Sequence, residues 1–187
     1  MPKLGTRAPA ALLATIALAC VSGLTAAPGA LAGGSPPSDS VETERPPRPW
    51  PVLSHGDTGW RVTMVEFLLQ AAGFYTGARP AGVMDYELVA AIRNYQIAHD
   101  LPESGRLDSP TWSELAHRIG VGPGSLGPQV KAVQSGLNGG YGHDLAVDGI
   151  YGPNTRGAIL QFQRSKGLTP NGVVAYTVFQ AMITWQD

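Results

Sequence analysis

Apolar residues recur at spacings of three and four along two stretches of the chain. Both stretches are punctuated by glycine and proline at similar places. Val62, Val65, Leu69 and Ala72 mark one such face, and the spacing predicts a helix over 60–72. Leu88, Ile92 and Tyr95 predict a second helix over 86–99, and a third follows over 110–118. The pattern then returns, with helices expected over 128–138, 153–166 and 177–185 and a second stripe of Ala158, Ile159 and Phe162. Pro128 and Pro153 fall in the first turn of their helices, where the missing N–H costs nothing. Ser109 before Pro110 reads as a start signal with the serine hydroxyl as cap. Gly167 before Leu168 reads as a C-terminal cap with its hydrophobic contact. Tyr95 and Phe162 are expected in the core, with Trp112 and Trp185 as packing residues.

The two stretches are copies of one unit. Val62, Val65 and Leu69 fall on Val130, Val133 and Leu137 at an offset of 68. Gly82, Ala91, Ile92, Gln96, Leu101 and Gly105 fall on Gly149, Ala158, Ile159, Gln163, Leu168 and Gly172 at an offset of 67. Glu103-Ser104-Gly105 and Pro170-Asn171-Gly172 read as matching tight turns. The fold class expected is mainly α, two tandem three-helix modules at 55–118 and 125–187, joined by a short linker at 119–124. A unit of about 60 residues buries only about 60% of its unfolded surface, so the two are expected close together, in an arrangement that retains some mobility.

Ahead of the repeats, Lys3 and Arg7 precede an uncharged, alanine- and leucine-rich run. This is the pattern of a secretory signal peptide, and Ala30-Leu31-Ala32 places cleavage after residue 32, with a cut after Ala27 as the alternative. Two other readings are a membrane anchor, for which the run is short, and lipidation at Cys20, whose preceding Ala17-Leu18-Ala19 is a poor acceptor motif. Residues 33–54 form a proline-rich linker, with Pro36, Pro37, Pro46, Pro47, Pro49 and Pro51 favouring an extended spacer. Trp50 stands out there as a residue suited to docking on the first folded unit.

Charge and composition narrow the chemistry. The chain carries a formal charge of −1; export would remove two of its thirteen basic residues and none of its fourteen acidic ones, leaving −3. Without a basic excess, nucleic acid is not an expected partner. With one cysteine, thiol catalysis is not expected once Cys20 is removed. His55, His99, His117 and His143 are never three or four residues apart, so no helix face offers a pair of metal ligands, and neither a metal nor another cofactor is expected. Gly122-Pro123-Gly124-Ser125-Leu126-Gly127 fails the register of a nucleophile elbow. The carboxylates are dispersed, and no catalytic residues are assigned.

The second unit reads Val147-Asp148-Gly149-Ile150-Tyr151-Gly152-Pro153-Asn154-Thr155, then Ala158, Phe162-Gln163, Leu168, Asn171-Gly172-Val173-Val174 and Thr177. This resembles the three-helix peptidoglycan-binding domain found beside bacterial wall hydrolases. The first unit resembles a diverged copy, with Ala81-Gly82-Val83-Met84-Asp85-Tyr86 where the second has its Asp-Gly turn. The resemblance implies a secreted, wall-associated, non-catalytic protein with peptidoglycan as partner, a cell-wall enzyme as a further possible partner, and no membrane span in the mature form. Signal, spacer and two modules account for the chain, so no hydrolase domain is expected. A protein-interaction scaffold on the same fold is the alternative, and a wall hydrolase a more distant one. Candidate ligand-binding residues are Tyr141, Asp148, Tyr151, Arg156, Gln163 and Tyr176. Aromatic rings can stack on sugar faces, and Arg156 is placed to pair with a peptide carboxylate. Each also has a structural reading: Asp148 as a turn residue, Gln163 as a cap on the neighbouring loop, Tyr151 as a ring packed over the turn, Arg156 as an ordinary surface charge, and Tyr141 and Tyr176 as exposed rings in loops.

Overall fold

Six helices follow one another in a computed structural model, which describes residues 48–77 and 80–185. The expected signal peptide with Cys20, and the linker up to residue 47, lie outside the described residues. The helices are α1 (Trp60–Ala71), α2 (Tyr86–Ala98), α3 (Ser109–Arg118), α4 (Pro128–Tyr141), α5 (Pro153–Ser165) and α6 (Tyr176–Thr184). All six stand where the apolar periodicity places them, within a few residues at each end. The fold is mainly helical and built from two tandem three-helix units. Four isolated antiparallel backbone bridges add to the helices and repeat like the sequence: Leu53 with Leu107 and Val121 with Val174, then Thr58 with Val83 and Leu126 with Ile150.

The caps follow local chemistry, with one correction. Ser109 is the first residue of α3; the cap is Asp108, whose carboxylate accepts from the backbone N–H of Thr111. A carboxylate accepts that N–H and also favours the positive end of the helix, so it outcompetes the neighbouring hydroxyl. Gly167 adopts a left-handed conformation, and the N–H of Leu168 returns to the Gln163 carbonyl at 2.8 Å, as expected of a helix end.

Helix α1 departs from a one-sided stripe. Val62, Val65 and Leu69 are buried as expected, but so are Met64, Phe67 and Leu68. Ala72 is exposed and lies just past the helix end. The extra burial arises because α1 packs on α2 within its own unit and along α4 of the other unit, while α3 meets α6. Equivalent helices of the two copies therefore face one another. Two side chains cross this junction in the same way. Arg61 on α1 donates through Nε and Nη2 to the carbonyl of Ile183 at 3.0 and 2.9 Å, and Gln129 on α4 donates to the carbonyl of Arg118 at 3.4 Å.

Close approach of α1 and α4 depends on two glycines. A Cβ on Gly139 would overlap the Cβ of Trp60, and one on Gly136 would overlap the Met64 sulfur. Helix propensity alone favours alanine at either place by about 1 kcal/mol. Gly139→Ala is nevertheless expected to destabilise the fold by about 1–3 kcal/mol, because a methylene root cannot move without the helix. Gly157 on α5 has open space around it. Gly157→Ala is expected to stabilise by about 0.5–1 kcal/mol. Urea unfolding of the pair checks both signs, and equal behaviour of the two variants would contradict the packing argument.

The segments read as linkers are partly inside this body. Val121 is fully buried and bridged to Val174, so the connection between the copies is part of the core. Upstream, Trp50 stacks on Trp112 with ring centroids 5.9 Å apart and planes 8° from parallel. It also meets Tyr176 and Phe179 of α6. The Trp112 indole donates to the Pro51 carbonyl at 2.7 Å. The end of the proline-rich segment thus docks on the first unit, as a strap that also reaches the second. Among the described residues, no helix is long and apolar enough to cross a membrane.

Candidate binding face

Each turn that leads into a second or third helix is held by one buried side chain from the preceding helix. In the second copy, Gln134 on α4 accepts from Gly149 N–H at 2.9 Å and donates to Asp148 Oδ1 at 2.8 Å and the Thr155 hydroxyl at 3.1 Å. Gln163 on α5 accepts from Gly172 N–H at 2.9 Å and donates to Asn171 Oδ1 and the Val173 carbonyl. Gln96 on α2 holds Gly105 and Arg106 in the same way. A glutamine suits this task because one end accepts and the other donates, and a turn presents both kinds of backbone group. The held glycines sit at φ of 64 to 80°, a conformation that favours residues without a Cβ.

The fourth clamp differs. Glu66 on α1 accepts from two backbone N–H groups, Ala81 and Gly82, each at 2.9 Å. Burial pushes its carboxyl above the ordinary range, opposed by those two hydrogen bonds. Glu66 falls on Gln134 in the repeat, and Ala81 falls on Asp148. The two differences are linked: with no aspartate to receive an amide, the turn presents a second N–H, and a carboxylate accepts both.

This architecture decides what the six candidate residues can do. Gln163 is fully buried with its amide committed to the turn, the arrangement expected of a cap on the neighbouring loop. Tyr141 is the last residue of α4 rather than a loop residue, and its hydroxyl donates to the Met182 carbonyl at 2.8 Å. Tyr176 is the first residue of α6, again not in a loop; its ring lies 4.5 Å from that of His117. Asp148 accepts from Gln134 and from Ile150 N–H, and these bonds hold its carboxyl below the ordinary range. It is a turn residue with an exposed edge. Tyr151 donates to the Gly172 carbonyl, and partial burial raises its hydroxyl pKa. Arg156 is exposed and flanks the same glycine.

The structure therefore brings Tyr151 and Arg156 together over the Gly172 turn and leaves Tyr141 and Tyr176 elsewhere. It adds residues that periodicity passed over. Leu126 is 71% exposed and Ile150 53%, and their backbones are bridged, so two large apolar side chains stand in water at the turn that leads to Tyr151. Their signal in the sequence is an apolar residue inside a glycine-flanked turn, where no helical stripe accounts for it. In the first copy the matching bridge joins Thr58 to Val83, and Tyr86 is exposed against His55 with centroids 4.0 Å apart. Among the described residues, no three metal-ligating side chains gather around a point.

Comparison with known proteins agrees with the repeat. The peptidoglycan binding domain family matches residues 58–115 and again 127–182. The chain is also 34% identical over 79 residues to a zinc D-Ala-D-Ala carboxypeptidase of Streptomyces albus G. That match takes in 41% of this chain and 29% of the carboxypeptidase, so the chain spans less than a third of its relative.

Proposed function

Because this chain belongs to the peptidoglycan binding domain family, with two copies of the domain, we propose that it is an exported, non-catalytic protein that holds to the bacterial cell wall. The fold alone does not specify a ligand. The observation that carries the reading is the exposed, bridged Leu126–Ile150 pair on the copy that keeps the Asp-Gly turn, with Tyr151 and Arg156 at the neighbouring Gly172 turn. Apolar side chains left in water on the same copy as a ring and a guanidinium suit an amphiphilic polymer of sugars and short peptides. The N-terminal apolar run supports export, and the matched segments are binding domains rather than a peptidase domain.

The test is sedimentation with purified sacculi. Deleting one copy would expose the shared α1–α4 interface, so point variants of the full chain are the sounder probe. The wild-type chain is expected to pellet with sacculi and to release no soluble fragments from them. Leu126→Asp combined with Ile150→Asp is expected to weaken retention by roughly tenfold. Both side chains are exposed, so thermal stability should stay within about 0.5 kcal/mol of wild type. A chain that remains in the supernatant, or one that solubilises the wall by itself, contradicts the reading.

A further inference from the structure

Among the described residues, one buried side-chain polar atom lacks a hydrogen-bond partner, and it is the hydroxyl of Tyr95. Such a group is costly to keep, since a phenylalanine of the same shape avoids the desolvation. The second copy makes that replacement: Phe162 stands where the first has Tyr95. It also carries Tyr141 where the first has Phe74, so both copies pack two rings edge to face, at 5.4 Å in the first and 4.6 Å in the second. The hydroxyl has changed rings. On Tyr141 it reaches the end of α6; on Tyr95 it makes no full hydrogen bond and has only Arg118 nearby.

Tyr95 lines a cavity of about 330 Å³ at the C-terminal ends of α1, α2 and α3. Leu68, Phe74 and Leu115 give it an apolar wall, and Arg118 and Gln129 stand at its polar side. The volume lies at the small end of the range for ligand pockets. Arg118 comes close to the hydroxyl, is 54% exposed, and is held by its Nε to Glu114, an exposed-side ion pair that opens at little cost. Glu114 also faces His99 at 3.7 Å. An incoming carboxylate would meet Glu114 and compete with it for Arg118. A wholly apolar guest would leave the hydroxyl unsatisfied. A neutral amide with a methyl group satisfies both constraints.

We propose that this cavity, walled by the first copy and edged by Gln129 of the second, receives the acetamido group of an N-acetylated sugar, with its carbonyl oxygen accepting from the Tyr95 hydroxyl and its methyl group against Leu68, Phe74 and Leu115. Arg118 swings aside to admit it. The proposal rests on the wall-binding reading and gives the first copy, which lacks the Asp-Gly turn, a contact of its own with the glycan.

The test uses the full chain and saturation-transfer NMR with N-acetylglucosamine, glucosamine and D-alanyl-D-alanine as separate probes. The acetyl methyl protons are expected to take the strongest saturation, and the other two probes little. Tyr95→Phe is expected to weaken N-acetylglucosamine binding about three- to tenfold while raising the melting temperature, a combination that a purely structural residue does not produce. Ala71→Phe, which fills the cavity mouth, is expected to abolish the signal. Equal binding of glucosamine, preference for the dipeptide, or unchanged affinity of Tyr95→Phe would overturn the proposal. If sacculi still pellet the chain in that case, wall binding stands and the cavity alone is dismissed. If sacculi fail to pellet it while the sugar signal persists, the converse holds.

Discussion

Trp112→Ala is expected to lower stability by about 3–5 kcal/mol, among the largest effects available to a single substitution in this chain. The indole is fully buried, stacks on Trp50, touches Phe179 and donates to the Pro51 carbonyl. Removing it opens a cavity in the first copy, withdraws one wall of the contact with α6, and leaves a backbone carbonyl without its donor. Trp50→Ala removes only the strap. Because Trp50 is partly exposed, its loss is expected to cost about 1–3 kcal/mol. Urea unfolding followed by tryptophan fluorescence separates the two, and protease access to residues near Pro51 should rise in both. If Trp112→Ala costs no more than Trp50→Ala, the strap lacks the anchoring role assigned to it.

The second large effect concerns the turn clamps. Gln134→Leu leaves Gly149 N–H unpaired in the interior and takes a donor from Asp148 and Thr155. About 3 kcal/mol or more is expected, since each buried group left unsatisfied costs about 1–3 kcal/mol. The fourth clamp allows a sharper test. Glu66→Gln turns an amide N–H₂ towards the N–H of Ala81, donor against donor, and should cost about 1–3 kcal/mol. Adding Ala81→Asp supplies the acceptor found in the second copy, and the double variant should recover most of the loss. Burial raises the Glu66 carboxyl pKa, so its contribution is fully present below the ordinary carboxylate range and is lost as pH rises through the raised value. Stability measured against that of Glu66→Gln should therefore decline over that window. Additive single effects with no recovery would show that the two positions are not linked.

Much of the fold was legible in the sequence because helix periodicity, proline at first turns and glycine at ends are local signals. The same locality explains the misses. Periodicity marks a single face of α1, because nothing in that segment shows that α4 covers a second. Asp108 displaced Ser109 as cap through a competition between neighbours that residue preference alone does not rank. Of the candidate site, Gln163 is visible through the repeat and Asp148-Gly149 through turn chemistry, but hydrogen bonding decides their roles: Gln96 and Gln163, which recur between copies, hold backbone. The exposure of Leu126 and Ile150 is not legible in the sequence, because an exposed apolar residue has no periodic signature. Glu66 aligns with Gln134 at the same offset as its valine neighbour, so the altered clamp has a signal in the sequence: two positions that change together between the copies.

The way the two copies meet has a consequence for assembly. Like surfaces are joined, α1 to α4 and α3 to α6, with Arg61 and Gln129 making reciprocal ties. Such a head-to-head union is closed, as in a twofold dimer, and consumes the face that a further duplicate would need. The array therefore cannot lengthen by stacking, as solenoids do. Greater reach along a polymer would have to come from additional separate pairs on tethers, each pair acting as the indivisible unit of gene duplication.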